Sequence, residues 1–340
     1  MKTVVVTGCG GYIGSVLAER LLDAGFKVIG IDRWFFGRDV VKHLEEREHF
    51  TAIKTDIREI TPKDLEGAYA VCDLAALSND PAGDLDPDLT AKINQLGRVN
   101  VAKAAKAAGV ERYVLASSCS VYGFSDGDIL SETSPTNPLT AYAKANLNAE
   151  LDILPLRDDN FSVSVLRQST VFGFSHRMRF DLVVNIMTLH AVEKGRIFVT
   201  GGGQQWRPLV HVRDTAAAFI EMLTAQREIV DGEVFNVGWG NIKILSIAET
   251  VRDSLPFPVE VQVLPEDADK RDYRATFDKI LAKTSWKPEF SPAMGVNEIY
   301  EAIKSERTKA EPRTFTVGWY KQLLDAKKLV EETILNGRML

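Results

Sequence analysis

The chain has 340 residues, which is enough for one large two-lobed unit or for two domains. Hydrophobic residues make up 45% and charged residues 26%, the ordinary usage of a globular protein. The formal net charge of -6 offers no electrostatic footprint for nucleic acid or an anionic membrane, and no apolar stretch approaches the length of a membrane span. We therefore expect partners other than nucleic acid and membrane.

Cysteine and histidine usage indicates the compartment and the metal content. The three cysteines, Cys9, Cys72 and Cys119, are scattered and odd in number, as expected for free thiols in a reducing cytoplasm. The N-terminus opens directly into a strand, "KTVVVTG", without the charge and cleavage pattern of a signal peptide. The five histidines and three cysteines show no metal-ligand spacing, so we expect a cytoplasmic protein without a structural zinc ion.

A glycine turn follows the first predicted strand. "TVVVTG" is a β-branched run typical of a buried parallel strand, and apolar residues at helical spacing come after it. Gly8, Gly11 and Gly14 lie between the two, where glycines let the backbone approach a pyrophosphate at a helix N-terminus. Asp32 ends the next strand, "KVIGID", and can accept a hydrogen bond from the adenosine ribose 2′-hydroxyl, which favours NAD over NADP. Its neighbour Arg33 can soften that preference.

Strands and helices alternate through the first half of the chain, which predicts a parallel, doubly wound α/β sheet of the Rossmann type. "FTAIKTD" and "AYAVCDLAAL" read as further strands, and "RYVLASS" follows a helix that begins near Asp86 and Pro87. Ligands of such sheets bind at the carboxyl ends of the strands. The residues expected to contact the cofactor there are Gly8, Gly11, Tyr12, Ile13, Gly14, Asp32, Arg33, Asp56, Ile57, Ala75 and Ala76.

Several spaced motifs together resemble one known family. "TGCGGYIG", "DLAAL", "SSCSVYG", "AYAKAN", "LRQSTVFG" and "WRPLVHVRD" are similar, in that order, to segments of the extended short-chain dehydrogenase/reductases that act on nucleotide sugars. The resemblance covers residues 2 to about 290 and implies NAD as cofactor and a nucleotide-diphosphate sugar as substrate. Members of that family include sugar 4-epimerases, 4,6-dehydratases, decarboxylases and 4-keto reductases.

The resemblance assigns catalytic roles to two residues. Ser118 matches the catalytic Ser/Thr, whose hydroxyl holds the sugar O4 or carbonyl. Tyr142 matches the acid/base that exchanges a proton as hydride leaves or reaches the sugar carbon, and we also count it among the cofactor contacts. Taken singly, Ser118 reads as well as a strand-end serine that caps local backbone, and Tyr142 as a half-buried helix tyrosine.

The sequence departs from the family at the lysine of Tyr-x-x-x-Lys, where Asn146 stands. In the family that lysine bonds the nicotinamide ribose and lowers the pKa of the tyrosine by its charge. Asn146 keeps the capacity for hydrogen bonds but carries no charge, and Lys144 is expected on nearly the opposite side of the helix. Three readings stay open: a variant tuned toward reduction, a weakened homologue, or an engineered substitution.

A second departure concerns the reaction type. In similar 4,6-dehydratases an Asp-Glu pair follows the catalytic threonine, and in similar decarboxylases a glutamate takes the second position. Here Cys119 and Ser120 occupy those places, and neither is a good proton shuttle at its ordinary pKa. We therefore expect neither 4,6-dehydration nor decarboxylation, while Cys119 stays open as a second acid or a small buried residue.

Substrate contacts are expected from the loops that follow several strands and from the second half of the chain. His176 is a candidate second acid/base, with a plain loop histidine as the alternative, and isolated arginines are often only solvated charges. Arg177 or Arg179 is expected at the pyrophosphate or sugar. The predicted substrate contacts are Ser78, Asn79, Ser118, Cys119, Ser120, His176, Arg179, Asn185, Arg207, Arg271 and Arg274.

These inferences combine into one hypothesis and one rival. We expect an NAD-binding Rossmann domain over 1–172, to which 207–238 returns, and a nucleotide-sugar lobe with a terminal helix over 173–340. The helices near 87–108 and 140–154 resemble those of the family's dimer, so a homodimer is expected. The leading hypothesis is an enzyme acting at sugar C4, as a 4-epimerase or 4-keto reductase. The rival is a homologue that binds both ligands but has lost turnover.

Overall fold

The computed structural model describes residues 1–124, 127–265, 272–335 and 337–338. The strands in chain order are β1 (Thr3–Thr7), β2 (Lys27–Asp32), β3 (Phe50–Lys54), β4 (Ala70–Asp73), β5 (Arg112–Ser118), β6 (Ile129–Leu130), β7 (Ser162–Gln168), β8 (Thr170–Phe172), β9 (Arg196–Val199), β10 (Trp206–His211), β11 (Val234–Val237), β12 (Gly240–Lys243), β13 (Glu260–Val263) and β14 (Arg274–Ala275).

The helices are α1 (Tyr12–Asp23), α2 (Lys42–Glu45), α3 (Asp80–Gly83), α4 (Pro87–Thr90), α5 (Arg98–Ala107), α6 (Ala141–Ile153), α7 (Val183–Lys194), α8 (Val212–Thr224), α9 (Arg227–Val230), α10 (Ile244–Ser254), α11 (Asp278–Lys283), α12 (Pro292–Lys304) and α13 (Thr316–Thr333). A wider π-helical stretch, Ala91–Gly97, joins α4 to α5. Among the described residues, no helix is both long and apolar enough to span a bilayer.

Seven parallel strands form the central sheet in the order β3-β2-β1-β4-β5-β7-β11. Its two faces bury different residues of the same strand, since side chains alternate along a strand. Val4 and Val6 of β1 pack with Leu17 of α1 on one face, and Val5 packs with Val101 of α5 on the other. The predicted parallel, doubly wound sheet is confirmed.

A smaller lobe forms beyond the seven-stranded sheet. It contains a three-stranded sheet, β12-β10-β8, and the parallel pair of β9 and β13. Apolar side chains of α7, α10 and α12 pack over these strands, including Met187, Ile247 and Val296. The chain returns to the central sheet through β11, which pairs with β7, and α8 packs against α1.

A buried ion pair fixes α6 against the central sheet. Arg167 Nη2 of β7 lies 2.6 Å from Glu150 Oε2 of α6, and both side chains are almost fully buried. The Ser117 hydroxyl donates to the Glu150 carboxylate, and Arg167 Nη1 donates to the Tyr122 hydroxyl at 3.0 Å. Because breaking one partner of such a pair leaves a buried charge, this network holds α6 in register with the end of β5.

The terminal helix α13 docks next to the end of β2 through aromatic and apolar residues of its first two turns. Trp319 Nε1 donates to the Phe35 carbonyl at 2.7 Å, and the Tyr320 ring packs on Phe36 at 5.5 Å. Leu323 joins the same cluster, whereas Leu329 is 62% exposed and does not dock. The helix therefore closes one side of the sheet's carboxyl edge with its first two turns.

Candidate active site

The glycine turn between β1 and α1 forms the floor of a pocket at the carboxyl edge of the central sheet. Gly8 has a φ of +69°, and a Cβ on it would lie 2.8 Å from the Ala75 backbone nitrogen. A Cβ on Gly14 would lie 2.1 Å from the Gly8 carbonyl oxygen. A side chain at either position therefore collides with backbone. The helix begins at Tyr12 with its free N–H groups at the pocket, an arrangement suited to a pyrophosphate.

Asp32 lies at the pocket end of β2. Its carboxylate accepts hydrogen bonds from the Gly10 and Trp34 backbone nitrogens at 2.9 and 2.6 Å. Burial raises the pKa of Asp32, and these hydrogen bonds oppose that rise. Arg33 also lines the pocket and pairs with Asp56 at 2.7 Å. The guanidinium that could soften a preference for NAD is thus already engaged.

Asp56 and Ile57 border the same end of the pocket. Arg58 donates to the Asp56 carboxylate at 2.6 Å, and this hydrogen bond holds the pKa of Asp56 well below its usual range. The carboxylate is therefore ionised and partly neutralised by two arginines. Ala75 and Ala76, at the end of β4, line the pocket as small residues and leave room between β1 and β5.

Ser118 and Tyr142 line the pocket at the opposite end from Asp32. The Ser118 hydroxyl oxygen accepts the Ser120 N–H at 3.1 Å and so caps the turn Cys119–Tyr122. This cap does not use the hydrogen of the hydroxyl itself. The capping alternative and the catalytic expectation are thus compatible in one residue, because the cap uses only a lone pair of the hydroxyl.

Tyr142 occupies the first turn of α6, which Thr140 caps by accepting the Ala143 N–H at 3.1 Å. The pKa of Tyr142 is raised, first by burial of the phenol and then by the nearby charge of Asp80. Arg98 and hydrogen bonds with Ser118 and Asn146 act in the opposite direction. The phenol therefore holds its proton at neutral pH and is prepared to donate it.

Asn146 lies one turn after Tyr142 and is 1% exposed. Its Nδ2 donates to the Tyr142 carbonyl at 3.0 Å, and its Oδ1 accepts from Arg98 Nη1 at 2.8 Å. Lys144 is exposed, as its place on the helix predicts. Sequence reasoning missed Arg98, although a cation within an otherwise apolar helix face was a signal that could have found it.

Two arginines of the loop after β8 close the pocket, together with α13. Arg179 pairs with Asp181 at 2.9 Å, and Arg177 lies 3.6 Å over the Phe36 ring and donates to Thr316. Burial lowers the pKa of Arg177 to about 9. Tyr320 of α13 also lines the pocket and was not predicted, since only tertiary packing brings it there.

Ser78, Asn79, Ser120 and Arg179 line the pocket, as expected of substrate contacts. Asn79 has a φ of +126°, a conformation that residues other than glycine seldom adopt. Its side chain holds this conformation by accepting the Ala82 N–H at 2.8 Å and by donating to Asp181 at 2.9 Å. The loop after β4 is therefore fastened to the loop that carries Arg179.

Three other candidates lie outside the pocket lining. Cys119 is fully buried, donates to the Arg167 carbonyl, and burial raises the pKa of its thiol to about 12. Asn185 is also fully buried, accepts the Gly173 N–H and donates to the Tyr12 hydroxyl. His176 stacks on His43 with ring centroids 3.6 Å apart. Local packing thus turns these side chains away from the expected positions.

The remaining arginine candidates stay predictions. Arg207 is buried and donates to the Trp206 carbonyl at 2.8 Å. Arg274 donates to the Gly127 carbonyl and lies 5.4 Å over the Trp206 ring. Neither borders the pocket, and Arg271 lies outside the described residues.

A surface cluster brings Glu19, His43 and His176 together, with possible ligand atoms within 4.8 Å of one another. The two imidazole rings are stacked with an interplanar angle of 23°. Their in-plane lone pairs therefore lie in two nearly parallel planes, an arrangement poorly suited to binding one metal ion between them. The expected absence of a metal stays a prediction.

Comparison with known proteins identifies the family. Residues 4–238 match the profile of the NAD dependent epimerase/dehydratase family. A UDP-glucose 4-epimerase of Mycolicibacterium smegmatis is 29% identical over 90% of this chain and 99% of its own length. A UDP-glucuronic acid decarboxylase 1 of Danio rerio is 26% identical over 90% of this chain and 73% of its own length.

A solved structure agrees with these matches. MoeE5 in complex with UDP-glucose and NAD superimposes with a TM-score of 0.77 and 25% identity, over 90% of this chain and all of that one. The family match confirms the resemblance found in the sequence and the prediction of NAD as cofactor.

Replacing Asp32 by alanine is expected to weaken NAD binding by roughly 10- to 100-fold. A hydrogen bond to a charged group contributes about 1.5–3 kcal/mol, which corresponds to that loss of affinity. NADP binding is expected to weaken less, because the variant lacks the carboxylate that repels a 2′-phosphate. Isothermal titration calorimetry of both cofactors measures this. Asp88→Ala, at an exposed acid, is the control. Unchanged NAD affinity in Asp32→Ala would contradict the assignment.

Proposed function

Because the chain belongs to the NAD dependent epimerase/dehydratase family, we propose that it passes a hydride between NAD and C4 of a nucleotide-sugar, as a 4-epimerase or a 4-keto reductase. The observation that carries this proposal is the placement of Ser118 and Tyr142 on one pocket with the glycine turn and Asp32. The glycine turn and Asp32 can therefore bind the dinucleotide, while Ser118 and Tyr142 of the same pocket can transfer a proton. The UDP-sugar relatives support a nucleoside diphosphate as the handle of the substrate.

The two hydroxyls have distinct roles in this proposal. Ser118 donates a hydrogen bond to the sugar O4, or to the C4 carbonyl, with the hydrogen that its cap leaves free. Tyr142 gives a proton to O4 when C4 is reduced and removes it when C4 is oxidised. NAD, when bound, carries the hydride. Arg179 and the Asn79 loop line the same pocket and are joined through Asp181.

The surroundings of Tyr142 favour the reductive direction. A phenol with a raised pKa is a poor base at neutral pH but keeps its proton for donation. Reduction of a 4-keto sugar needs that donation first, whereas epimerisation of a 4-hydroxy sugar begins with abstraction. The 4-keto reductase reading thus has specific support, while the relative of M. smegmatis supports the 4-epimerase reading.

Dehydration and decarboxylation fit the pocket less well, although a decarboxylase is among the relatives. The Cys119 thiol lies outside the pocket lining and donates to the Arg167 carbonyl, and burial raises its pKa to about 12. Ser120 reaches the pocket but is a weak acid and base. The positions that follow Ser118 therefore supply no efficient proton shuttle toward C5.

The rival proposal is a homologue that binds NAD and a nucleotide sugar without turnover. Asn146 supports it, because no lysine charge lies on α6 beside Tyr142. Product analysis by NMR and mass spectrometry, over a panel of UDP-sugars and 4-keto sugars with NAD+ and NADH, distinguishes the two. Tight sugar binding with no product from any member would favour the rival and overturn the enzyme proposal.

We also propose a cytoplasmic homodimer. Leu96, in the stretch that joins α4 to α5, and Leu151 of α6 are 58% and 62% exposed. Gln95 donates to Asp152 at 2.8 Å and so ties the two helices into one surface. An apolar two-helix face of this kind suits a second copy of the chain.

Tyr142→Phe is expected to lower kcat by about 10²–10⁴-fold with the substrate found in the panel, since proton transfer typically contributes that factor. Ser118→Ala is expected to lower kcat as well, by a smaller factor. NAD affinity should fall less in both variants than in Asp32→Ala, because Asp32 and the glycine turn are untouched. Steady-state kinetics with calorimetry of NAD binding measures this. A kcat within threefold of the unchanged protein in Tyr142→Phe would contradict the assignment. Thr133→Ala, at an exposed loop residue, is the control.

The raised pKa of Tyr142 sets the sign of the pH dependence. Below that pKa the phenol is protonated, so 4-keto reduction with NADH should be nearly constant from about pH 6 to about pH 9 and fall at higher pH. Oxidation of a 4-hydroxy sugar with NAD+ should instead rise with pH throughout that range. Single-turnover rates by stopped-flow NADH absorbance separate the two directions. An oxidation rate that is flat over this range would show that Tyr142 is not the base.

A further inference from the structure

Arg98 is buried at the centre of the catalytic end, although no motif marks it. Its side chain is 1% exposed. Nη1 donates to Asn146, Nη2 donates to the Asp73 and Ala116 carbonyls, and Nε lies 3.9 Å from the Asp73 carboxylate. A guanidinium keeps its proton in proteins, so these contacts place a permanent positive charge beneath the first turns of α6.

We propose that Arg98 supplies the positive charge that favours the ionised form of Tyr142, with Asn146 as the link that holds the guanidinium against α6. The pair Arg98–Asn146 then does together what a single lysine at position 146 would do. This inference rests on the proposed function in that it assigns a use to Tyr142 as acid and base. Arg98 is a positioning residue, because it acts through Tyr142.

The hydrogen bonds of Asn146 hold the positive charge of Arg98 close to Tyr142. Oδ1 accepts from Arg98, and Nδ2 donates to the Tyr142 carbonyl. The two polar atoms of the Asn146 amide thus connect the Arg98 guanidinium to the backbone of Tyr142. An uncharged amide suits this place, because a lysine ammonium would lie against the buried guanidinium of Arg98.

Other charged groups around Tyr142 act against Arg98 or hold it. Asp80, on α3, raises the pKa of Tyr142, and Ser118, at the end of β5, contributes a hydrogen bond that lowers it. Asp73, at the end of β4, is the counter-charge of Arg98 and accepts hydrogen bonds from the Thr7 and Tyr113 hydroxyls. Those two donors stabilise the carboxylate, while Arg98 Nη1 donates to Asn146.

The proposal makes a reciprocal prediction about residues 98 and 146. Arg98→Gln removes the cation and is expected to disfavour the ionised form of Tyr142. Asn146→Lys adds a second cation beside the first and is expected to lower the stability of the protein. The double variant Arg98→Gln with Asn146→Lys again has one cation at the site. Its Tyr142 is expected to ionise at nearly the same pH as in the unchanged protein. Lys144→Gln, which removes an exposed cation from the same helix, is the matched control.

The ionisation of Tyr142 is measured on the NAD+-loaded protein by tyrosinate absorbance, as the difference from Tyr142→Phe. We expect Arg98→Gln to raise the pH of half-ionisation by about one unit or more, a tenfold change in the ionisation constant, because a cation at close range shifts a pKa by roughly 1–3 units. The double variant should return to within about half a unit, and Lys144→Gln should shift it by less than that, since exposed charges are screened. Asn146→Lys alone should unfold at a lower temperature than the double variant.

The outcomes separate this inference from the proposed function. An unchanged ionisation pH in folded Arg98→Gln, or a double variant that does not return, overturns the role of Arg98. If Arg98→Gln does not fold, the double variant decides, because it must fold and ionise Tyr142 as the unchanged chain does. The titration needs no sugar. An unchanged protein that turns over no member of the substrate panel refutes the proposed function without altering this result.

Discussion

The carboxyl ends of β1, β2, β4 and β5 meet at one edge of the parallel sheet, and the pocket depends on that meeting. Each strand delivers a different group there: the glycine turn, Asp32, the small Ala75 and Ala76, and Ser118. Parallel strands need crossover connections on the faces of the sheet, so the helices occupy both faces and the edge stays open. A cofactor can therefore approach backbone at Gly8, where a side chain would collide with Ala75.

Burial shapes the chemistry of that edge as much as the choice of residues. Tyr142 loses hydration in the pocket, and its pKa rises for that reason before any charge is considered. Arg98 opposes this rise from the far side of Asn146, and Asp80 adds to it. A proton-transfer group set between one acid and one cation responds to small changes in either. The replacement of the family's lysine by Asn146 is then accompanied by a cation at residue 98, which lies beside it.

The sequence was informative where function depends on short segments. The glycine turn, Asp32, Ser118 and Tyr142 are each specified by residues near them in the chain, and all of them line the pocket. Sequence reasoning was less informative where contacts are distant. Arg98 meets Asn146 across 48 positions, and Tyr320 reaches the pocket only because α13 docks on Phe36. Neither contact has a local signature.

Side-chain direction within loops and caps was also beyond the sequence. His176 and Arg177 are neighbours, yet the imidazole stacks on His43 while the guanidinium lines the pocket. Asp214 has the side chain of a typical N-cap but does not cap α8: the helix starts at Val212, His211 caps it, and Asp214 accepts hydrogen bonds from the Glu289 and Phe290 backbone nitrogens. In both places a tertiary contact, invisible in the local pattern, decides the role of the residue.

The central claim is that hydride moves between NAD and the C4 carbon of a nucleotide sugar in this pocket. The most direct measurement follows the isotope: UDP-sugars deuterated at C4, and 4-keto sugars with C4-deuterated NADH, are incubated with the protein, and NMR locates the label. We predict that a 4-epimerase passes deuterium from sugar C4 to the nicotinamide ring and returns it to C4 of the inverted product, and that a 4-keto reductase delivers it from labelled NADH to C4. Label that is lost to water while product forms, or that moves to another sugar carbon, would contradict the claim.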